Sequence, residues 1–171
     1  MPQAYDRAIS MSASPMHWQW LSFNELNASD LYQILRLRQA VFAVEQNCVY
    51  QDCDNVDQQC WHLLGREPSS TAISAYLRVV PAGIKYREIS IGRVVTAADA
   101  RDKGYGRVLM QEGIKRVEQQ WPDSAIRISA QAHLEHFYGS LNFTRVSEPY
   151  QEDGIPHIEM LRASTSIRSA Q

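Results

Sequence analysis

No apolar run in this 171-residue sequence approaches the length of a membrane span. The first sixteen residues, MPQAYDRAISMSASPM, lack the apolar block of a secretory signal. Charge of one sign is missing too: a formal net charge of −2 gives no overall electrostatic footprint for nucleic acid. Cysteine is scarce, and the three present (Cys48, Cys53, Cys60) are an odd number, which argues against a disulfide framework. Their C-x4-C-x6-C-x-H spacing, with His62 beyond, matches no usual zinc pattern, so small buried or half-buried thiols are expected and no metal. Three aspartates at 52, 54 and 57 lack the glycine and closing glutamate of an EF-hand, and read as a solvated acidic loop. The expected compartment is the cytoplasm, with no membrane and no nucleic acid as partner.

What remains is an ordinary globular composition, 44% hydrophobic and 21% charged, in a chain long enough to bury one core. Residues 1–16 read as a flexible leader, 17–162 as a single domain and 163–171 as a flexible tail. The aromatic-rich run at 17–23 predicts a strand. Asn27 or Ser29 can cap a helix whose apolar stripe runs Leu31, Ile34, Leu35, Val41, Phe42. Arg38 lies on that stripe, so it must be paired or face a cleft. A loop is expected at 44–57, then strands at 60–65, 71–80 and 88–96. A helix follows from 107 until Pro122 stops it, then a strand at 124–130 and a short helix at 133–141 with Asn142 as left-handed C-cap. Strands at 143–147 and 155–161 close the chain around a turn at Glu152-Asp-Gly154. The order β-α-β-β-β-α-β-α-β-β is that of a mixed α/β sheet with helices packed on it.

Between the strand at 88–96 and the long helix lies Arg101-Asp102-Lys103-Gly104-Tyr105-Gly106-Arg107. Backbone N–H groups at a helix start, with the dipole behind them, form an anion site. Glycines at 104 and 106 allow positive φ and close approach, and the three cations favour phosphate or pyrophosphate. The dinucleotide fingerprint fails at Leu109, and the G-K-[ST] of a P-loop is absent. A plain tight turn is equally compatible with two glycines taken alone.

The turn resembles the (R/Q)-x-x-G-x-(G/A) signature of the GNAT superfamily of acyl-CoA-dependent N-acyltransferases. The block Gln131-Ala-His-Leu-Glu-His-Phe137-Tyr138-Gly-Ser-Leu-Asn142-Phe143 is similar to that family's Asn…Phe-Tyr-x-x-x-Gly-Phe helix, with Gln131 and Asn142 as departures. Leu37-Arg38-x-x-Val41-Phe42-x-Val44-Glu45-Gln46-Asn47-Cys48 and Tyr150-x-Glu152-Asp153-Gly154-Ile155-Pro156-His157-Ile158 resemble the ElaA group within it. The resemblance covers residues 17–162. It implies a GNAT-like fold, a central twisted sheet of about seven strands with helices on both faces. It implies acetyl-CoA as acyl donor, its pyrophosphate cradled by the backbone of Asp102, Lys103, Gly104, Tyr105, Gly106 and Arg107 beside Arg101. The main chain of Val94, Val95 and Thr96 would pair with the pantetheine arm where the next strand splays away, helped by Gln131 and Phe137. Small members of the family often form homodimers.

Acyl transfer from a thioester to an amine needs a neutral amine, a stabilised oxyanion and a proton donor for the thiolate. An N–H near Val95 or Thr96 suits the oxyanion, and by family position Tyr138 is the donor. Glu45, His62, Glu88 and His157 are candidate bases, with His157 first and Glu45 second. Arg38, Glu152 and Asp153 are candidates for the acceptor side, the carboxylates attracting a cationic amine. The acceptor, a small-molecule or protein amine, has no further signature. Two other readings are an acyl-homoserine-lactone-synthase-like acyltransferase, from Arg38-x-x-Val41-Phe42, and a non-catalytic acyl-CoA-binding module.

Overall fold

The computed structural model describes residues 16–164. The expected leader and tail lie outside these residues apart from Met16, Ala163 and Ser164, and Ser164 is buried. The elements are β1 (His17–Ser22), α1 (Ala28–Arg38), β2 (Trp61–Arg66), β3 (Ala75–Val80), β4 (Ile89–Thr96), α2 (Tyr105–Gln120), β5 (Ile126–Gln131), α3 (Glu135–Gly139), β6 (Thr144–Arg145), β7 (Tyr150–Glu152) and β8 (Ile155–Arg162). Eight strands form one mixed sheet in the order β1-β2-β3-β4-β5-β8-β6, with β7 also on β8.

Alternation on β3 divides the core between the two faces. Ala75, Leu77 and Val79 point into a cluster with Leu109, Met110, Ile114 and Val117 of α2, while Tyr76 joins Ile34 and Val41 on the other face. The glycine of α2 explains how closely helix and sheet approach: a Cβ on Gly113 would sit 2.6 Å from Leu77 Cδ2. Asn27 caps α1 by accepting from the Asp30 N–H at 2.9 Å.

Three local expectations are corrected. The helix does not end at Val44; α1 continues through Gln39–Glu45 in wider π-type winding, and the Gln46 N–H reaches back five residues to the Val41 carbonyl at 3.0 Å. The strand expected at 71–80 begins only at Ala75. The missed strand is β7, which Asp153 and Gly154 join to β8 in a two-residue hairpin turn at φ 51° and 79°.

β4 carries the feature that positions the site. It is bulged opposite β3, because Tyr76 pairs with Val95 whereas Arg78 pairs with Gly92. Arg93 takes the left-handed φ of 52° at this bulge. On its other side β4 pairs in parallel with β5 only at Ile89↔Ile126 and Ser90↔Arg127. Beyond those pairs the two strands part.

Candidate acyl-transfer site

Where β4 and β5 separate, a cavity of about 200 Å³ opens. Ile91 to Val94 form one wall and Ile128 to Gln131 the other, with Tyr138 of α3 and His157 of β8 also lining it. The divergence leaves main-chain groups on the facing edges without a strand partner, which is what an amide-bearing ligand can use. Val95 is buried against α1, so on the cavity side it can offer main chain alone.

From Thr96 the chain passes through a turn at Ala98–Ala100 into the glycine turn and α2. Gly104 is the N-cap at φ 76°, as its place in the turn requires. The second left-handed residue is Asp102, at φ 61°, and not Gly106, which sits inside the first helical turn. A Cβ at either glycine would meet nothing within 4 Å, so the surface before the helix is bare. The N–H groups of Tyr105 and Gly106 point out of the helix end with no intrahelical acceptor. Backbone and dipole therefore form an anion-binding opening.

Its cations are spoken for. Arg101 makes a two-pronged pair with Glu45 at 2.7 and 2.8 Å, and Lys103 holds Glu67 at 2.9 and 3.1 Å. Arg107 donates to Ser140 Oγ at 2.9 Å and lies 5.5 Å from the centre of the Phe137 ring. The bonds from Arg101 hold the exposed Glu45 carboxyl below the usual carboxylate range, which makes it a poor proton acceptor. Glu45 is thereby placed at the turn and away from the role of base.

Tyr138 is 7% exposed and packs edge-on against Phe137 and Phe143. Burial pushes its phenol up to about 12, and its hydroxyl has no hydrogen-bond partner among the described residues. An uncommitted hydroxyl on a cavity wall is available to a ligand. His157 stacks on Tyr150 and sits 2.8 Å from the Ile155 carbonyl through Nδ1. Because a carbonyl only accepts, Nδ1 is the donor, and in the neutral ring Nε2 is the nitrogen left with a lone pair. Gln131 donates to Gln46 Oε1 at 3.3 Å, which ties β5 to the end of the π-type winding.

Residues 44–163 match the acetyltransferase (GNAT) domain family. The chain belongs to the GNAT superfamily. Within it the chain is ElaA-like: it is 42% identical to Protein ElaA of Escherichia coli over 86% of its own length and 96% of the relative's. A UPF0039 protein of Schizosaccharomyces pombe is 38% identical over 86% of this chain and 97% of that protein. Among solved structures, an acyl-CoA N-acyltransferase from Pseudomonas aeruginosa superposes with a TM-score of 0.82 at 38% identity, covering 87% of this chain and 100% of that one. The crystal structure of E. coli ElaA gives 0.80 at 41% identity, covering 86% and 99%.

In this ElaA-like protein Arg38 does not reach the cavity between β4 and β5. It is fully buried, and its guanidinium is committed to Asp52 Oδ2 and Asp57 Oδ1, each at 2.8 Å, and to the Asp52 carbonyl at 2.9 Å. Placing Arg38 at the acceptor is therefore corrected, and its pairing is structural. The acidic loop is corrected with it. Asp57 is buried between Arg38 and Arg78, Asp54 grips Arg78 at 2.7 and 2.8 Å, and Asp52 also holds Arg93 at 2.7 Å. Burial alone would raise Asp54, but the hydrogen bonds from Arg78 overcome it and hold the carboxyl at about 2. The alternating D-x-D spacing was visible; its partners at 38, 78 and 93 were too distant in sequence to be read.

Among the other expected groups, His62 is buried with Nε2 donating to the Asp57 carbonyl at 3.0 Å and Nδ1 accepting from Tyr76 at 2.8 Å, so both nitrogens are occupied. Glu88 is taken by Arg127 at 3.0 Å. Cys48 and Cys60 are buried as expected, whereas Cys53 is exposed. Glu152 and Asp153 do line the cavity, together with Lys85, Arg93 and Ser129, which the sequence reading missed. Gly92-Arg93 inside an apolar strand was the available signal for a bulge.

Proposed function

We propose that the protein is an acyl-CoA-dependent N-acyltransferase that moves an acetyl group from acetyl-CoA to an amine by direct attack within a ternary complex. The observation that supports it best is the continuity of β4. The strand that lines the cavity from Ile91 to Val94 ends at Thr96 and leads directly into the anion-binding turn. A long donor with a pyrophosphate at one end and a thioester at the other matches a bare helix N-terminus joined to a narrow cavity by an unpaired strand edge.

In this reading His157 Nε2 takes a proton from the acceptor ammonium, directly or through water. The neutral nitrogen attacks the thioester carbonyl, and an N–H near Val95 or Thr96 faces the resulting oxyanion. The C–S bond then breaks while Tyr138 donates a hydrogen bond to the departing thiolate, and the surplus proton on the new amide nitrogen passes through water to that thiolate, which leaves as the free thiol of coenzyme A. His157→Gln keeps donor binding and lowers kcat by roughly 10²–10⁴-fold, the usual worth of a general base.

Calorimetric titration with acetyl-CoA tests the donor, with S-acetylpantetheine, which lacks the pyrophosphate, as comparison. Tight binding of the first, strongly weakened binding of the second and thiol release in the presence of amines support the reading. Equal affinity for both would remove the turn from donor recognition, and no binding of acetyl-CoA would end the proposal.

A further inference from the structure

The acceptor end of the cavity has a charge pattern that the transfer reaction alone does not require. Four fully ionic side chains line it: Lys85, Arg93, Glu152 and Asp153. Arg93 is neutralised by Asp52 at 2.7 Å, with Asp54 at 3.4 Å. The other three form no ion pair among the described residues. Lys85 stands exposed at the rim, its Nζ 5.4 Å from the centre of the Tyr86 ring. Glu152 and Asp153 belong to the β7–β8 hairpin on another wall.

Glu152 is held ready without being neutralised. Its Oε2 accepts from Ser129 Oγ at 2.8 Å, and Ser129 Oγ lies 2.6 Å from the Tyr150 hydroxyl. Ser129 has a single proton, which goes to the carboxylate, so Tyr150 must donate to Ser129. This relay fixes the carboxylate and leaves Oε1 without a partner among the described residues. Neighbouring atoms partly shield the Lys85 ammonium from water and lower its pKa, and the Glu152 carboxylate is the largest opposing influence, acting without an ion pair between them.

We infer that the acceptor is a small zwitterion, an amino acid or a similar compound with an ammonium and a carboxylate a few bonds apart. This rests on the acyltransferase reading and specifies its second substrate. The ammonium lies towards Glu152 and Asp153, next to His157, which receives its proton; the carboxylate lies towards Lys85. A simple amine leaves Lys85 unmatched, and a polyamine brings a second cation against it. A lysine within a protein has no carboxylate at that distance.

The test measures thiol release from acetyl-CoA with matched acceptors: alanine against ethylamine, leucine against 3-methylbutylamine, serine against ethanolamine, and spermidine. The parent is expected to favour each amino acid over its decarboxylated partner by about tenfold or more in kcat/KM, the worth of one partly shielded ion pair. Lys85→Met should collapse that ratio, chiefly through KM, and Lys85→Arg should restore part of it. A ratio within one variant is insensitive to its folded fraction. Preference for spermidine or the plain amines, or a ratio unchanged in Lys85→Met, overturns the zwitterion while leaving the acyltransferase standing. Failure of the parent to bind acetyl-CoA in the parallel titration overturns both.

Discussion

Replacing Tyr138 by phenylalanine isolates one oxygen atom in the proposed mechanism. The phenol is pushed up to about 12 by burial, whereas an alkyl thiol ordinarily titrates near 8.5. Full proton transfer to the thiolate would then run uphill by roughly 3–4 pK units, about 5 kcal/mol, so Tyr138 acts by a hydrogen bond to developing negative charge. Such a bond contributes about 1.5–3 kcal/mol, which corresponds to a fall in kcat of roughly 10–150-fold. Phenylalanine keeps the ring contacts with Phe137 and Phe143, at centroid distances of 5.0 and 6.0 Å. The lost hydroxyl leaves no group orphaned among the described residues, so Tm should move by only a few degrees, about what 1 kcal/mol causes at this size. Steady-state thiol release gives kcat, calorimetry gives acetyl-CoA affinity and a melting curve gives Tm. A kcat within about threefold of the parent would remove the hydroxyl from the chemistry, and a loss beyond about a thousandfold would mean complete proton transfer.

The aspartate–arginine cluster predicts acid lability. Asp54 is depressed from an ordinary 3.8 to about 2, so the folded state binds fewer protons than the unfolded one between those values, and its contribution is present above pH 4 and lost as pH falls towards 2. Urea unfolding of the parent should lose about 2 kcal/mol from this group over that window, and Asp54→Asn should flatten that part of the profile. Glu45→Gln releases Arg101 to a bound anion and should tighten acetyl-CoA binding a few-fold at low salt, less at high salt where surface charges are screened; weaker binding would mean that Glu45 positions Arg101 instead of competing for it. Gly104→Ala meets no steric neighbour but must hold φ 76°, at a cost of about 1–2 kcal/mol. Its stability in urea should fall by that amount, and an unchanged value would show that the turn relaxes elsewhere.

Local signals were legible and long-range pairings were not. The strand runs at 17–23, 60–65, 88–96, 124–130 and 155–161, the Asn27 cap, the Asn142 reversal at φ 65° and the helix after the glycine turn all follow from short-range chemistry, and the structure shows them, whereas the run expected at 143–147 keeps only Thr144–Arg145 as strand. The π-type winding after Arg38 was hidden because Val41 and Phe42 keep an apolar stripe under either geometry. β7 was hidden because its three residues carry one aromatic and two polar side chains and gain their strand character from β8. Arg38 illustrates the limit: its place on an apolar stripe demanded a partner, but choosing between carboxylates and a cleft needed the loop at 52–57 folded over it. At the site, motif positions such as Tyr138 reached the cavity, whereas Lys85, in the loop between β3 and β4, and Ser129, on β5, lie outside any motif and meet there only once the sheet is assembled.

The two halves of the sheet are joined across β4 and β5 by just two residue pairs, Ile89 with Ile126 and Ser90 with Arg127. Beyond that short ladder the halves are held by α2, which connects the two strands, and by the apolar core it shares with both. A guest that laid its amides into the opening would act as an absent strand, converting a sheet in two leaves into one continuous plate.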